Sequence, residues 1–172
     1  MFVTFFHRKL QVFNNNMKDK LGIRGFAKFK LEYPDGSVLE TGWCENTITN
    51  LGKKAVVGLT GNVDSQTAFT YIALGTDADP APAAADTTLN AELTTLGLSR
   101  TTATVTSEQT TTADDTLRFV KAFTATGSTT VLEAGIFNAS STGVMLSRVL
   151  ASPTLPVVNG TVLTITYEVR LS

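Results

Sequence analysis

The stretch Phe26-Ala-Lys-Phe-Lys-Leu-Glu-Tyr-Pro-Asp-Gly-Ser-Val-Leu-Glu-Thr-Gly-Trp43 decides the fold class. Phe29, Leu31 and Tyr33 alternate with Lys28, Lys30 and Glu32. Apolar side chains on every second residue define a half-buried strand, because successive side chains of extended backbone point to opposite faces. Pro34-Asp35-Gly36 then breaks the alternation. Proline fixes φ and glycine accepts a positive φ, so the three residues make a turn. The return strand is expected to run through Val38 toward Trp43, with Trp43 in the core.

Outward from this hairpin, one segment changes period. Asn46-Thr-Ile-Thr-Asn-Leu-Gly-Lys-Lys-Ala-Val-Val-Gly-Leu-Thr-Gly61 places Leu51, Ala55, Val56 and Leu59 on one helical face. Thr49 or Asn50 is the expected cap, and Gly61 the expected left-handed stop. Gly52 and Gly58 weaken such a helix by about 1 kcal/mol each relative to alanine if exposed. Phe69 to Gly75 reads as a buried strand, with Tyr71 in the core. Residues 76–88, rich in proline, alanine and aspartate, read as a loop, with Asp86 capping a short turn. Beyond Arg100 strands are expected at 100–107, 116–125, 131–138, 144–150 and 161–171. The polar, threonine-rich tract 107–115 and the turns Thr126-Gly-Ser-Thr129 and Ser140-Ser-Thr-Gly143 separate them. Short strands at roughly ten- to fifteen-residue spacing indicate an antiparallel sandwich or barrel. The expected fold is therefore mainly β: an antiparallel β-sandwich, jelly-roll-like or immunoglobulin-like, over residues 21–172, with one short helix and an N-terminal arm over 1–20.

The arm has a pattern of its own. Phe2, Phe5, Phe6, Leu10 and Phe13 recur at spacings of one helix face, interleaved with Arg8 and Lys9 and followed by Asn14-Asn15-Asn16. Residues 1–30 carry seven basic side chains and one acidic, whereas the remainder carries seven basic and fourteen acidic. A basic, phenylalanine-rich arm beside an acidic body is expected to dock on a protein surface, that of an adjacent subunit or another partner. The apolar run at the N-terminus is short and precedes its positive charges, so it is not expected to act as a signal peptide. No apolar run reaches the roughly 18 residues of a membrane helix, so no membrane partner is expected.

The residue inventory argues against catalysis. The single histidine, His7, lies in the arm, which leaves no histidine in the body for a catalytic triad or a zinc site. Cys44 is the only cysteine, so no intrachain disulfide is possible, which is consistent with synthesis in a reducing cytosol. It reads as a small buried apolar residue. Asp77 with Asp79, and Asp114 with Asp115, are oxygen-ligand pairs that could hold calcium, but neither sits in an EF-hand spacing. Glu133 stands in the apolar phrase Leu132-Glu-Ala-Gly-Ile-Phe137. A carboxylate there needs a partner, and Arg100, Arg118 and Arg148 are the candidates. The expectation is a structural acid in a buried ion pair. No enzyme activity, cofactor or resident metal is expected, and nucleic acid is not an expected partner, since only the arm is basic.

Several phrases resemble, in order, a β domain recurrent in tail, tail-fibre and other minor virion proteins of tailed bacteriophages. They are Asn46-Thr-Ile-Thr-Asn-Leu-Gly52, Tyr71-Ile-Ala-Leu-Gly-Thr-Asp77, Thr87-Thr-Leu-Asn-Ala-Glu-Leu93 with Arg100, Leu132-Glu-Ala-Gly-Ile-Phe-Asn138, Gly143-Val-Met-Leu-Ser-Arg148 and Gly160-Thr-Val-Leu-Thr-Ile-Thr-Tyr-Glu-Val169. The resemblance spans 46–171 and implies a virion protein made in the bacterial cytoplasm. Its implied role is assembly or attachment, as a homo-oligomer bound to other virion proteins. The sequence stops just past its last strand and begins with a basic arm. Both features shift the expectation from a receptor-binding tip or shaft toward a small adaptor, baseplate or fibre-anchoring subunit, with capsid decoration on the head as the alternative. A carbohydrate-binding β-sandwich is a further alternative, disfavoured by the expectation that Trp43 and Tyr71 are core residues.

Overall fold

The computed structural model describes residues 22–171. In β1 (Ile23–Glu32) the fully buried Ala27, Phe29 and Leu31 alternate with Phe26, Lys28 and Lys30. The chain reverses at Pro34-Asp35-Gly36, where Gly36 has φ +83°, and returns as β2 (Val38–Glu40), which is only three residues long. Two short strands follow, β3 (Cys44–Glu45) and β4 (Thr47–Ile48), and then α1 (Asn50–Gly61). The remaining strands are β5 (Tyr71–Gly75), β6 (Thr101–Thr102), β7 (Thr104–Glu108), β8 (Thr116–Thr124), β9 (Thr129–Phe137), β10 (Met145–Val157) and β11 (Val162–Leu171).

They form two antiparallel sheets packed as a sandwich. One has the order β2-β1-β11-β8-β7, with β3 also on β1; the other has the order β4-β10-β9-β5-β6. The core between them is built from Phe29, Leu31, Phe119, Phe123, Leu163, Ile165 and Tyr167 of the first sheet. Ile72, Leu74, Ile136, Leu146 and Val149 of the second face them. The Tyr167 hydroxyl is fully buried and lies 3.0 Å from Ser147 Oγ. Burial pushes this phenol above its ordinary pKa.

The return strand differs from the expectation in a way that moves Trp43. Leu31 pairs with Leu39 and Lys30 with Glu40, but Ala27 pairs with Cys44. Between these pairs two residues of β1, Lys28 and Phe29, face three on the returning chain, Thr41, Gly42 and Trp43, so one extra residue has been inserted, as in a β-bulge. Thr41 keeps its inward position: its Oγ1 accepts from Phe29 N–H at 3.0 Å. After the extra residue the faces exchange. Cys44 takes the place opposite Ala27 and packs, half-buried, against the core. Trp43 turns outward and is 46% exposed, so neither Trp43 nor Cys44 is the fully buried residue expected.

The helix also buries a different face from the expected one. Thr49 caps it, its Oγ1 accepting from Gly52 N–H at 2.8 Å and donating to Met145 C=O at 2.6 Å. The buried residues are Gly52, Ala55 and Gly58, while Leu51 and Leu59 are 43% and 37% exposed. A Cβ at Gly52 would fall 2.5 Å from the Leu146 carbonyl oxygen, so this glycine lets α1 approach β10 backbone to backbone. The left-handed stop is Asn62, at φ +50°, rather than Gly61. Asparagine is the non-glycine residue that tolerates this conformation well.

Candidate functional site

Three features of the described residues could carry a function: a buried charged knot on the outer face of the second sheet, an apolar groove at one end of the sandwich, and the exposed Trp43.

The knot begins with strand alternation. In β5, β9 and β10, Ile72, Ile136 and Leu146 face the main core, whereas their neighbours Ala73, Phe137 and Met145 face the other way. There they meet Leu89 and form a second, smaller apolar cluster beneath the loop that follows β5. Glu133 and Arg148 are both fully buried. Arg148 Nε donates to Glu133 Oε2 at 2.6 Å, and Glu133 Oε1 accepts from Ala91 N–H at 3.1 Å. Arg148 Nη1 donates to Asp86 Oδ2 and to Pro80 C=O, both at 3.0 Å. Burial opposes the guanidinium charge, but Asp86 and Glu133 outweigh it and hold its pKa above the ordinary arginine value. A Cβ at Gly75 would lie 2.3 Å from Glu133 Oε1, so glycine there makes room for the carboxylate.

A second clamp fixes the far end of the same loop. Arg100 grips Glu92 bidentately, Nε to Oε1 at 2.8 Å and Nη2 to Oε2 at 2.5 Å. Its Nη1 donates to the Thr142 and Ala139 carbonyls, and the guanidinium lies 3.6 Å from the Phe137 ring centroid. Of the three arginines considered for Glu133, Arg148 is the partner. Arg118 instead joins Arg170 on the nearly buried Glu168.

The acidic pairs considered for calcium organise their own loops. Asp77 Oδ1 accepts from Asp79 N–H. Asp115 accepts from the N–H groups of Thr110, Thr111 and Thr112 at 2.7–2.8 Å. The Thr112 N–H leads the interactions that hold this carboxyl far below the usual carboxylate range. Among the described residues, no group of three or more histidine, cysteine, aspartate or glutamate side chains is placed to hold a metal. No described helix is long and apolar enough to cross a membrane.

The groove is a different kind of site. Ile23 of β1, Leu171 of β11, Leu117 of β8 and Val105 of β7 lie on the inward face of the first sheet at the end where β1 starts and β11 stops. Leu146 of β10 in the second sheet reaches the same cavity. Leu59 of α1 and Phe69 complete a cavity of about 450 Å³. Leu117, Leu171 and Val105 stay 48%, 45% and 36% exposed although they sit on the core face.

Trp43 stands outside the sandwich near Arg170, whose guanidinium is 5.7 Å from the indole and 4.6 Å from the Phe26 ring. Phe2, Phe5, Phe6, Arg8, Lys9, Leu10 and Phe13, the residues assigned to partner binding by their pattern, lie outside the described residues. Comparison of the chain with protein-family models, curated proteins and solved structures finds no match.

Proposed function

We propose that this chain is a structural subunit of a tailed-bacteriophage particle, on the tail, baseplate or fibre-anchoring side, acting through protein–protein contacts and without catalysis. One observation carries the reading. The phrases that resemble phage virion proteins are scattered along the chain, yet those around Gly75, Leu89, Ala91, Arg100, Glu133 and Arg148 meet in one closed knot. Their charges hold a loop onto a sheet rather than lining an open cleft, which suits a rigid scaffold better than an enzyme. The edge strand β7 supports assembly as well: four of its five residues are exposed, and its side away from β8, unpaired among the described residues, offers backbone groups for pairing with another chain. Such pairing accommodates a homo-oligomer or another virion protein.

Fractionation of lysed, phage-producing cells tests the proposal. The protein is expected with purified tails and not with DNA-free heads. Recovery with heads alone moves it to capsid decoration, and recovery with neither overturns the virion reading.

A carbohydrate-binding module is the second reading, and the exposure of Trp43 favours it, because an indole face open to solvent can stack on a sugar ring. Trp43 is the single tryptophan, so its fluorescence reports on this face alone. Under the assembly reading its emission stays unchanged when oligosaccharides are titrated in. A saturable shift, lost in Trp43→Ala by a binding assay, would favour the sugar module.

A further inference from the structure

The end groove poses a problem that the assembly reading leaves open: inward-facing aliphatic side chains of the first sheet stay exposed in a cavity that α1 and Phe69 only partly close. We propose that the groove is the seat of the chain's own N-terminal segment, residues 2–13, whose Phe2, Phe5, Phe6, Leu10 and Phe13 cover its floor. The inference concerns this chain alone and stands whether or not the protein belongs to a virion.

Three observations support this occupant. The first is where the segment joins the body. Ile23 lines the groove itself, so the chain preceding β1 departs from the groove's own rim. The second is length and composition. Residues 14–22 link the apolar segment to that rim, and nine residues reach at most about 30 Å, ample for doubling back. Asn14, Asn15, Asn16 and Gly22 are residues that make turns. The third is chemical fit. The segment supplies four phenylalanines and a leucine at one-face spacing, and the groove supplies Ile23, Leu59, Phe69, Val105, Leu117 and Leu171. Residues 1–21 carry four basic side chains and one acidic, against ten basic and fourteen acidic in residues 22–172. Asp114 lines the groove and has a charge opposite to that of Arg8 and Lys9.

Sequence pattern alone assigns the arm to an adjacent subunit or another protein partner. Attachment at the rim changes the balance, because a short tether holds the segment at an effective concentration of order mM, and a second copy competes only at comparable concentrations.

Hydrogen exchange on the full-length chain tests the proposal, together with measurement of its oligomeric state. Amides of residues 2–13 are expected to exchange about ten-fold or more slowly than in Leu117→Asp/Leu171→Asp. The protection should be equal at two protein concentrations about a hundred-fold apart, whatever the oligomeric state at each. Both substituted residues are nearly half exposed, so the sandwich should tolerate them. If it does not, Phe5→Ser/Phe6→Ser provides the same reading from the other side: it should speed exchange around Leu117 and Leu171 with the rest of the body unchanged. Protection of 2–13 that appears only as the chain self-associates would assign the groove to a neighbour's arm and overturn the proposal. Absence of protection at either concentration would overturn it as well.

Discussion

Arg148→Leu is expected to lower the unfolding free energy by about 3–5 kcal/mol, the cost of leaving a buried charge without its partner. The substitution keeps an apolar stem but strands Glu133, which is fully buried and retains only the Ala91 N–H. It also releases Asp86 and the Pro80 carbonyl, so the loop after β5 loses its attachment to β10. For a domain of this size each kcal/mol moves Tm by roughly 2–4 °C, so a fall of about 10 °C should appear in thermal unfolding. Glu133→Gln should cost less, because Asp86 still neutralises Arg148 and the amide oxygen can still accept a hydrogen bond. The double variant Arg148→Leu/Glu133→Leu should recover part of the loss, since an ion pair replaced by apolar groups leaves no orphaned charge. A single Arg148→Leu variant as stable as the parent would contradict the structural role assigned to the knot.

Gly52→Ala sets two effects against each other. Alanine favours a helix over glycine by about 1 kcal/mol, so an exposed site would gain stability. At Gly52 the new methyl would sit 2.5 Å from the Leu146 carbonyl oxygen and 2.7 Å from its Cα. These are backbone atoms of a central strand and cannot rotate away. Overpacking of that kind costs typically about 1–3 kcal/mol, more where backbone must move. The net expectation is a loss of about 2 kcal/mol, visible as a lower denaturation midpoint with an unchanged slope. Gly61→Ala, at a site whose built Cβ meets nothing closer than 3.8 Å, is the control that isolates propensity from packing.

The helix shows why part of the fold was legible and part was not. Its start could be read, because Thr49 acts on a donor three residues away and such short-range chemistry is written in adjacent residues. Its buried face could not. The apolar stripe of Leu51, Ala55 and Leu59 is the usual signal for burial, yet the contact is made by Gly52, Ala55 and Gly58, because close approach to β10 requires missing side chains. Helical glycines such as Gly52 and Gly58 are ambiguous in sequence: exposed they weaken a helix, and buried they allow it to touch a backbone.

Glu133 divides in the same way. That a carboxylate among apolar residues needs a cationic partner follows from desolvation alone. Which of three arginines supplies it depends on strand register: Glu133 pairs with Leu150, which brings Arg148, two residues along β10, to its diagonal. Asp86 then reaches the same guanidinium from a loop far away in sequence.

The sequence by itself determined most local elements: the alternation of β1, the turn at Pro34-Asp35-Gly36, the cap of α1 and the strands β8, β9 and β11, whereas the expected 100–107 strand divides between the two sheets as β6 and β7, and β10 runs on past the expected 150 to Val157. Each depends on backbone preference and side-chain period over a few residues. The tertiary structure alone decided which face each element presents. A single extra residue between Glu40 and Cys44 put Trp43 outside and Cys44 inside. The open groove at one end of the sandwich left Leu117 and Leu171 nearly half exposed although their period marks them as core. The physical reason is the same in both cases: a period-two pattern states that two faces differ, but only the summed register of paired strands sets where each face ends and what lies across from it.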